Sequence, residues 1–224
     1  MIDTAIIEKK IGYEFKDKSL LVRAFTHPSF SEFSYERLEF LGDSVLEIIV
    51  SEYLFINYKN YTEGDLTLIR ANIVDKPPLI KIIKKLGLDN ENYLLCQKGL
   101  LITDKVRGNL YESILGAIYI DAGLETARKF VIHTLEETII QTAKNKNSLI
   151  DYKSKLINYC AKNKISAPQF LSQKEGKDNE CMHSVNVVVD GKNLGFAKST
   201  EKKVAEKLAS EIAYKSLKNK TNYK

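Results

Sequence analysis

The spacing of apolar residues changes once along this chain, and the change divides the chain into two parts. Up to about residue 143, apolar residues recur at helical spacing in five segments that turn-prone stretches separate. Residues 142–148 are polar and have no periodicity. We therefore predict an all-α domain over residues 1–143 and a linker over residues 144–148.

After residue 148 the pattern predicts a helix, three strands and a second helix. Residues 183–189 alternate between apolar and polar side chains and end at Asp190-Gly191, which favours a two-residue hairpin turn. The segments are a helix at 149–162, strands at 168–174, 183–189 and 193–198, and a helix at 201–217. This order predicts a small α+β (α-β-β-β-α) domain over residues 149–218, followed by a polar tail at 219–224.

The composition excludes several classes of protein. Of 224 residues, 44% are hydrophobic and 28% are charged, which is typical of a folded soluble chain and not of a disordered or collagen-like one. No stretch approaches the ~18 uninterrupted apolar residues of a membrane span, since Glu47 and Glu52 interrupt the best candidate at 45–55. Charged residues near the start predict that no signal peptide is present, and three cysteines without C-x-x-C spacing favour a reducing compartment. We therefore expect a cytoplasmic protein with no membrane partner.

The net charge of +5 is unevenly distributed along the chain. Residues 1–148 hold 19 Lys and Arg against 21 Asp and Glu, whereas residues 149–224 hold 15 against 8. The positive excess of the second part has two interpretations: an ordinary solvated surface, or a module that binds a polyanion. Charge alone leaves both interpretations open.

Three acidic residues share one side of a predicted helix in the first part. Glu36, Glu39 and Asp43 fall within an arc of about 60° on an ideal helix. Leu46 and Val50 lie on the same side, so this helix is expected to be surrounded by protein and its carboxylates to be crowded and partly desolvated. Hard divalent cations such as Mg²⁺ neutralise such clusters. A solvated acidic face is the alternative interpretation of the three acids alone.

A second predicted helix offers a partner for the acidic one. Asn109, Glu112 and Gly116 share one line on this helix, at spacings of three and four residues. Gly116 and Ala117 are small, which allows a neighbouring helix to approach closely. Two facing helices with carboxylates and an amide between them predict a metal site.

These segments resemble the ribonuclease III family. The sequence E-R-L-E-F-L-G-D at 36–43 resembles the family signature, and the resemblance extends to His27-x-Ser29, to residues 63–71 and to residues 112–123. The segment K-x-x-G-N-x-x-E-S at 105–113 is more similar to the Dicer version of the second motif than to the usual bacterial one. Residues 149–218 resemble a double-stranded RNA-binding domain.

The resemblance implies both the site residues and the activity. It implies Mg²⁺ as the cofactor, with Mn²⁺ as a substitute. The implied metal-binding and catalytic residues are Glu39, Asp43, Asn109 and Glu112, with Glu36 and Glu63 as supporting acids. The implied activity is endonucleolytic hydrolysis of double-stranded RNA in RNA processing and maturation, with staggered ends that carry 5′-phosphates and 3′-hydroxyls.

Residue 109 departs from the family pattern, which has Asp at this position. Asn keeps a carbonyl acceptor but loses a negative charge and the capacity to take up a proton. Natural variation, a weakened enzyme and an engineered inactive form are all compatible with this residue. The alternative function is therefore a double-stranded RNA-binding protein with weakened or lost cleavage. A metal hydrolase of small phosphoesters with a fortuitous basic tail is a third hypothesis.

Phe40 lies off the hydrophobic face of the acidic helix, next to the carboxylates. It either packs within its own domain or contacts another molecule. The resemblance implies that it is a knob inserted into a socket of a partner subunit in a homodimer. A two-fold dimer presents one active site to each strand of an antiparallel duplex.

The last predicted helix places two cations where its own dipole opposes them. The charges of Lys202 and Lys203 at a helix N-terminus each destabilise the helix by ~0.3–1 kcal/mol. A phosphate bound at the same place offsets this repulsion. The residues expected to contact RNA are Lys153, Ser154, Asn158, Asn179, Lys202, Lys203 and Lys207. Ile157 replaces a polar residue of the typical module, so we expect binding through duplex shape and phosphates, with little reading of bases.

Overall fold

The computed structural model describes residues 2–90, 92–175 and 181–221, and the chain divides into two compact units. The first unit, Met1–Leu149, is helical, and the second, Ile150–Lys224, contains one sheet. The predicted fold class, an all-α domain followed by an α-β-β-β-α domain, is confirmed. Among the described residues, none of the helices combines the length and apolar character that crossing a membrane requires.

The described part of the first unit is built from six α-helices and a short 3₁₀ helix. The helices are α1 (Thr4–Ile11), α2 (Lys18–Ala24), α3 (Glu36–Asn57), α4 (Glu63–Val74), α5 (Lys76–Lys85) and α6 (Asp104–Lys144), which is kinked at Gly123, followed by the 3₁₀ helix Lys146–Leu149. Asp75 caps the start of α5, and Pro77 and Pro78 follow in its first turn, where a missing N–H group costs little. Residue 76 is thereby fixed at the beginning of a helix.

Helix α3 is buried along one side and exposed along the other, where Phe40, Ile48 and Phe55 are 78%, 57% and 73% exposed. Val45 and Ile49 belong to the core, and Leu46 and Val50, on the carboxylate side, are fully buried as well. The prediction that protein surrounds the acidic helix is therefore wrong, because Glu36 and Asp43 are exposed and only Glu39 among its three acids is partly buried. The acids at its N-terminal end lie beside this apolar interior.

Two glycines allow helices α3 and α6 to cross at very short distance. A Cβ atom at Gly42 would overlap the backbone carbonyl of Glu112, and one at Gly116 would overlap the carbonyl of Leu38. The close approach expected from Gly116 is confirmed, and Gly42 supplies the matching gap on the other helix. The crossing brings the acidic turns of both helices together.

The residues predicted as a linker form secondary structure that packs against the rest of the first unit. Lys144 ends α6, and the 3₁₀ helix that follows contacts α4. The ammonium of Lys146 lies 2.7 Å from Asp65 and 3.9 Å from the ring centroid of Tyr61. Because these partners lie far away in the sequence, the polar composition of this stretch did not reveal its packing.

The described part of the second unit places two helices against a three-stranded antiparallel sheet. Its elements are α7 (Tyr152–Lys162), β1 (Gln169–Glu175), β2 (Met182–Val189), β3 (Lys192–Ser199) and α8 (Lys202–Thr221), with strand order β1-β2-β3. Asp190 and Gly191 both have positive φ, as the predicted hairpin turn requires. Helix α7 begins at Tyr152 and not at 149, because the Asp151 side chain accepts from the N–H of Ser154 and caps the helix there.

Candidate active site

The crossing of α3 and α6 forms one wall of an acidic cleft of about 560 Å³. Glu39 and Asp43 project from α3, and Glu112 projects from α6. The cleft is lined by Glu36, Glu39, Phe40, Asp43, Val74, Asp75, Lys76 and Glu112. The structure therefore brings the three predicted metal-binding carboxylates to one place.

Lys76 lies among these acids and contacts the fourth predicted residue, Asn109. Its ammonium Nζ is 2.8 Å from Asn109 Oδ1, 2.8 Å from Glu112 Oε2 and 3.9 Å from Glu39 Oε1. Nothing in the local sequence marks Lys76 as a site residue, because Asn109 and Glu112 lie 33 and 36 positions further along the chain. The contact depends on how α5 packs against α6.

Burial governs the ionisation of two carboxyl groups in the cleft. Glu112 is 4% exposed, and its burial raises its pKa, while the hydrogen bond and charge of Lys76 act in the opposite direction. Burial also raises the pKa of Glu39, against the charges of Lys76 and Lys105. Both groups therefore hold a proton more readily than exposed carboxyls do, and positive charge favours their ionised forms.

Asn109 is buried, and no polar atom of its side chain is among the buried unsatisfied ones of the described residues. It is 5% exposed, and its Oδ1 accepts a hydrogen bond from Lys76 at 2.8 Å. A neutral amide at this position is therefore accommodated without an unsatisfied polar group.

The donor set of the cleft suits a hard divalent cation. Carboxylate and amide oxygens from two helices are the ligands that Mg²⁺ and Mn²⁺ prefer. Within the described ranges, no three His, Cys, Asp or Glu side chains are arranged as a preformed metal site. The residues therefore fit the ion chemically. The ammonium of Lys76, a cation of the protein itself, already lies within hydrogen-bond distance of two of these oxygens.

The two supporting acids lie in different places. Glu36 lines the cleft, and its Oε2 accepts a hydrogen bond from Ser34 Oγ at 3.4 Å. Glu63 begins α4, where it accepts a hydrogen bond from Thr67 Oγ1 at 2.9 Å, and it does not line the cleft. The reason is that α4 starts near the C-terminal end of α3, whereas the acids occupy its N-terminal turns. A single chain therefore does not bring Glu63 to the predicted cluster.

A second and largely apolar cavity, of about 750 Å³, lies at the C-terminal half of α3. Ile48 and Phe55 line it and are themselves 57% and 73% exposed, and Glu63 and Arg70 also contribute to its walls. Phe40, two turns before Ile48, is 78% exposed. The alternative in which Phe40 packs within its own domain is therefore wrong.

The lysines expected to bind RNA begin helix α8 in the second unit. Lys202 and Lys203 are exposed in its first turn, and Lys207 is half-buried one turn later. Lys202 is near Glu206, at 4.0 Å, which partly offsets its charge. Two ammonium groups thus stand at the positive end of the helix dipole.

Of the predicted RNA contacts on α7, Ser154 and Asn158 are exposed, whereas Lys153 faces α8 and β1. Lys153 forms an ion pair with Glu206 at 2.9 Å and lies over the ring of Phe170, while Ser154 donates to Asp151 at 2.7 Å. The remaining predicted contact, Asn179, falls outside the described residues.

Comparisons with known proteins define the family. The model of the Ribonuclease-III-like family matches residues 17–139, and that of the double-stranded RNA binding motif matches residues 152–217. This chain is 36% identical to Ribonuclease 3 of a Sulfurovum species, over 97% of this chain and 100% of the relative. It is 38% identical to Ribonuclease 3 of Clostridium beijerinckii, over 96% of each chain. The nuclease domain of ribonuclease III from Campylobacter jejuni is a structural neighbour with a TM-score of 0.57 and 37% identity, covering 60% of this chain and 97% of that one.

The helical nuclease fold with its acidic cleft, joined to a double-stranded RNA-binding domain, defines a class of endoribonuclease. The chain belongs to the ribonuclease III family and is a ribonuclease III-type endoribonuclease.

Proposed function

We propose that this endoribonuclease hydrolyses phosphodiester bonds of double-stranded RNA with Mg²⁺ or Mn²⁺, acting in RNA processing and maturation in the cytoplasm. The products are staggered ends with 5′-phosphates and 3′-hydroxyls. One observation carries the proposal: the buried carboxylate of Glu112 meets Glu39 and Asp43 in one cleft, in a chain that also has a double-stranded RNA-binding domain. The free thiols of Cys96, Cys160 and Cys181 support a reducing compartment.

In this proposal the side chains of the cleft hold the divalent ion. When bound, a divalent ion supplies Lewis-acid stabilisation of charge on the phosphate and lowers the pKa of a water molecule. Glu39, Asp43 and Glu112 hold the ion through carboxylate oxygens, and Asn109 contributes a carbonyl oxygen. Because Glu112 and Asn109 are almost fully buried, their positions are fixed before the substrate arrives.

The second unit holds the duplex in this proposal. The N–H groups at the start of α8 and the ammonium groups of Lys202 and Lys203 all attract phosphate. The exposed Asn158 on α7 offers a hydrogen-bonding side chain to a ribose hydroxyl, whereas its neighbour Ile157, 41% exposed, offers none. Binding therefore depends on duplex form and backbone charge more than on base sequence.

A homodimer accounts for the exposed apolar groups of α3. Phe40 projects as an isolated aromatic side chain, and the cavity lined by Ile48 and Phe55 is large enough to receive one. If each chain inserts Phe40 into the cavity of its partner, Glu63, in the wall of that cavity, comes close to the acidic cleft beside the inserted Phe40. A structure of the Campylobacter jejuni nuclease domain is described as flexible in a region involved in dimer formation, which supports the same assembly here.

Replacing Phe40 with Ser should dissociate the dimer. Burying one Phe side chain is worth about 1.5–3 kcal/mol, so the loss of two per dimer weakens association by roughly two to four orders of magnitude. Sedimentation velocity measures the change. Phe33→Ser is the matched control, because Phe33 is 77% exposed but does not line either the cleft or the apolar cavity. A Phe40→Ser protein that remains as dimeric as its parent would contradict the knob.

The effect of Asn109 on cleavage distinguishes the proposed enzyme from a protein that only binds double-stranded RNA. We expect the parent chain to cut duplex RNA, and Asn109→Asp to cut at most about tenfold faster, a barrier difference of about 1.4 kcal/mol. The reason is that Asn109 already presents an oxygen, and that Lys76, 2.8 Å away, would pair with the new carboxylate. Cleavage and gel-shift titrations of both proteins test this. If the parent binds duplex and cuts only after Asp is restored, the binding-protein alternative is correct.

A further inference from the structure

Lys76 is held against the acidic cleft by features of the backbone on both sides of the contact. On its own helix, the N–H of Lys76 donates to Asp75 Oδ1 at 2.8 Å, and Pro77 follows at once. On α6, Gly108 has no side chain, and a Cβ atom there would overlap Cδ of Lys76. The missing side chain of Gly108 therefore leaves the space through which the Lys76 side chain reaches Asn109 and Glu112.

Lys76 makes the net charge of the predicted metal-binding residues less negative. Glu39, Asp43 and Glu112 contribute three negative charges when ionised, and Asn109 contributes none. The ammonium of Lys76 reduces the sum for these residues to −2, and Glu36 and Asp75, which line the same cleft, add further negative charge. With an acid at 109 and no lysine at 76, the sum for the same residues would be −4, so the cleft would depend more on bound divalent ions. The neutral residue 109 and the positive residue 76 act in the same direction and are in direct contact.

We propose that Lys76 is a positioning residue that acts as a tethered cation of the cleft, holding Asn109 and Glu112 in place and taking over part of the neutralisation that bound divalent ions would provide. This inference rests on the proposed metal-dependent function. Its physical consequence is competition, because an ammonium and a divalent ion are attracted to the same oxygens and repel each other. The RNA-free protein should therefore bind divalent ions weakly for a site with three carboxylates.

The test measures Mn²⁺ binding to the full chain without RNA, using the electron paramagnetic resonance signal of free Mn²⁺ at neutral pH. Lys76→Met keeps the aliphatic bulk but removes the charge, and its Mn²⁺ affinity should rise by about tenfold or more. Gly108→Ala displaces the Lys76 side chain and should raise the affinity in the same direction. Lys81→Met removes an exposed charge from the same helix and should remain within about twofold of the parent, because solvent screens it.

A second measurement separates positioning from a merely structural role. Without Mn²⁺, Lys76→Met should melt at a lower temperature than the parent, because Glu112 loses its ion-pair partner. Saturating Mn²⁺ should raise this melting temperature more than it raises that of the parent. An Mn²⁺ affinity of Lys76→Met equal to or below that of the parent overturns the inference, and the proposed function stands if both proteins cut duplex RNA. Absence of Mn²⁺ binding by both proteins overturns the inference and the metal site together.

Discussion

Replacing Glu112 with Gln should lower the rate of duplex RNA cleavage by about two orders of magnitude or more, which corresponds to about 3 kcal/mol of lost transition-state stabilisation. The substitution keeps size and hydrogen-bonding capacity but removes one negative charge from the proposed cation site. Binding of duplex RNA should persist, because it depends on Lys202 and Lys203 in the other unit. Cleavage assays across a range of Mg²⁺ concentrations, with gel-shift titrations on the same samples, measure both quantities.

Two controls sharpen this prediction. Glu8→Gln also neutralises a buried, ion-paired carboxylate, since Glu8 is 9% exposed and contacts Lys18, but it lies outside the cleft and should leave the rate nearly unchanged. The double replacement of Lys202 and Lys203 by Ala should show the opposite pattern, with weaker binding and a shallower dependence on salt. If Glu112→Gln cuts as fast as the parent at low Mg²⁺, the active site is misplaced. Loss of duplex binding would contradict the division between a cutting and a binding unit.

Replacing Gly42 with Ala should destabilise the first unit and abolish cleavage, although Ala favours helix by about 1 kcal/mol over Gly. The added Cβ atom would overlap the backbone carbonyl of Glu112, which cannot rotate away as a side chain can. The helices α3 and α6 must then separate, and overpacking of this kind costs about 1–3 kcal/mol or more. Because the acids of both helices lie at this crossing, a small separation also disrupts the proposed metal site.

Urea denaturation and cleavage assays check the effect at Gly42. Gly64→Ala is the matched control, because Gly64 also lies in a helix but a Cβ atom there meets no heavy atom closer than Thr62 Oγ1 at 4.0 Å. We expect Gly64→Ala to be neutral or slightly stabilising, with cleavage retained. A Gly42→Ala protein with the stability and activity of its parent would show that the crossing is not the element that assembles the cleft.

The local patterns of the sequence were sufficient to predict both units. Helical periodicity identified the first unit, and the alternation of residues 183–189 with the turn at Asp190 and Gly191 identified the sheet of the second. These patterns report burial on one element at a time, and so does the line of Asn109, Glu112 and Gly116 on α6. Such patterns therefore predict the elements and the face that each of them buries.

The sequence did not predict features that depend on distant polar contacts. Lys76 enters the cleft only because α5 packs on α6 and Gly108 leaves room for it. Lys146 orders the stretch predicted as a linker through its contact with Asp65, which lies 81 positions away. A charged residue in a short polar segment gives no local sign of its partner, so its role becomes visible only in three dimensions.

The central claim is that the cleft at the α3–α6 crossing cuts double-stranded RNA with divalent ions. The most direct measurement is incubation of the pure chain with a fully paired RNA duplex, in Mg²⁺ and in excess EDTA, followed by analysis of the product ends. The account predicts discrete shorter duplexes with 5′-phosphates and 3′-hydroxyls in Mg²⁺ and an intact, protein-bound duplex in EDTA. Equal cleavage in excess EDTA would contradict it.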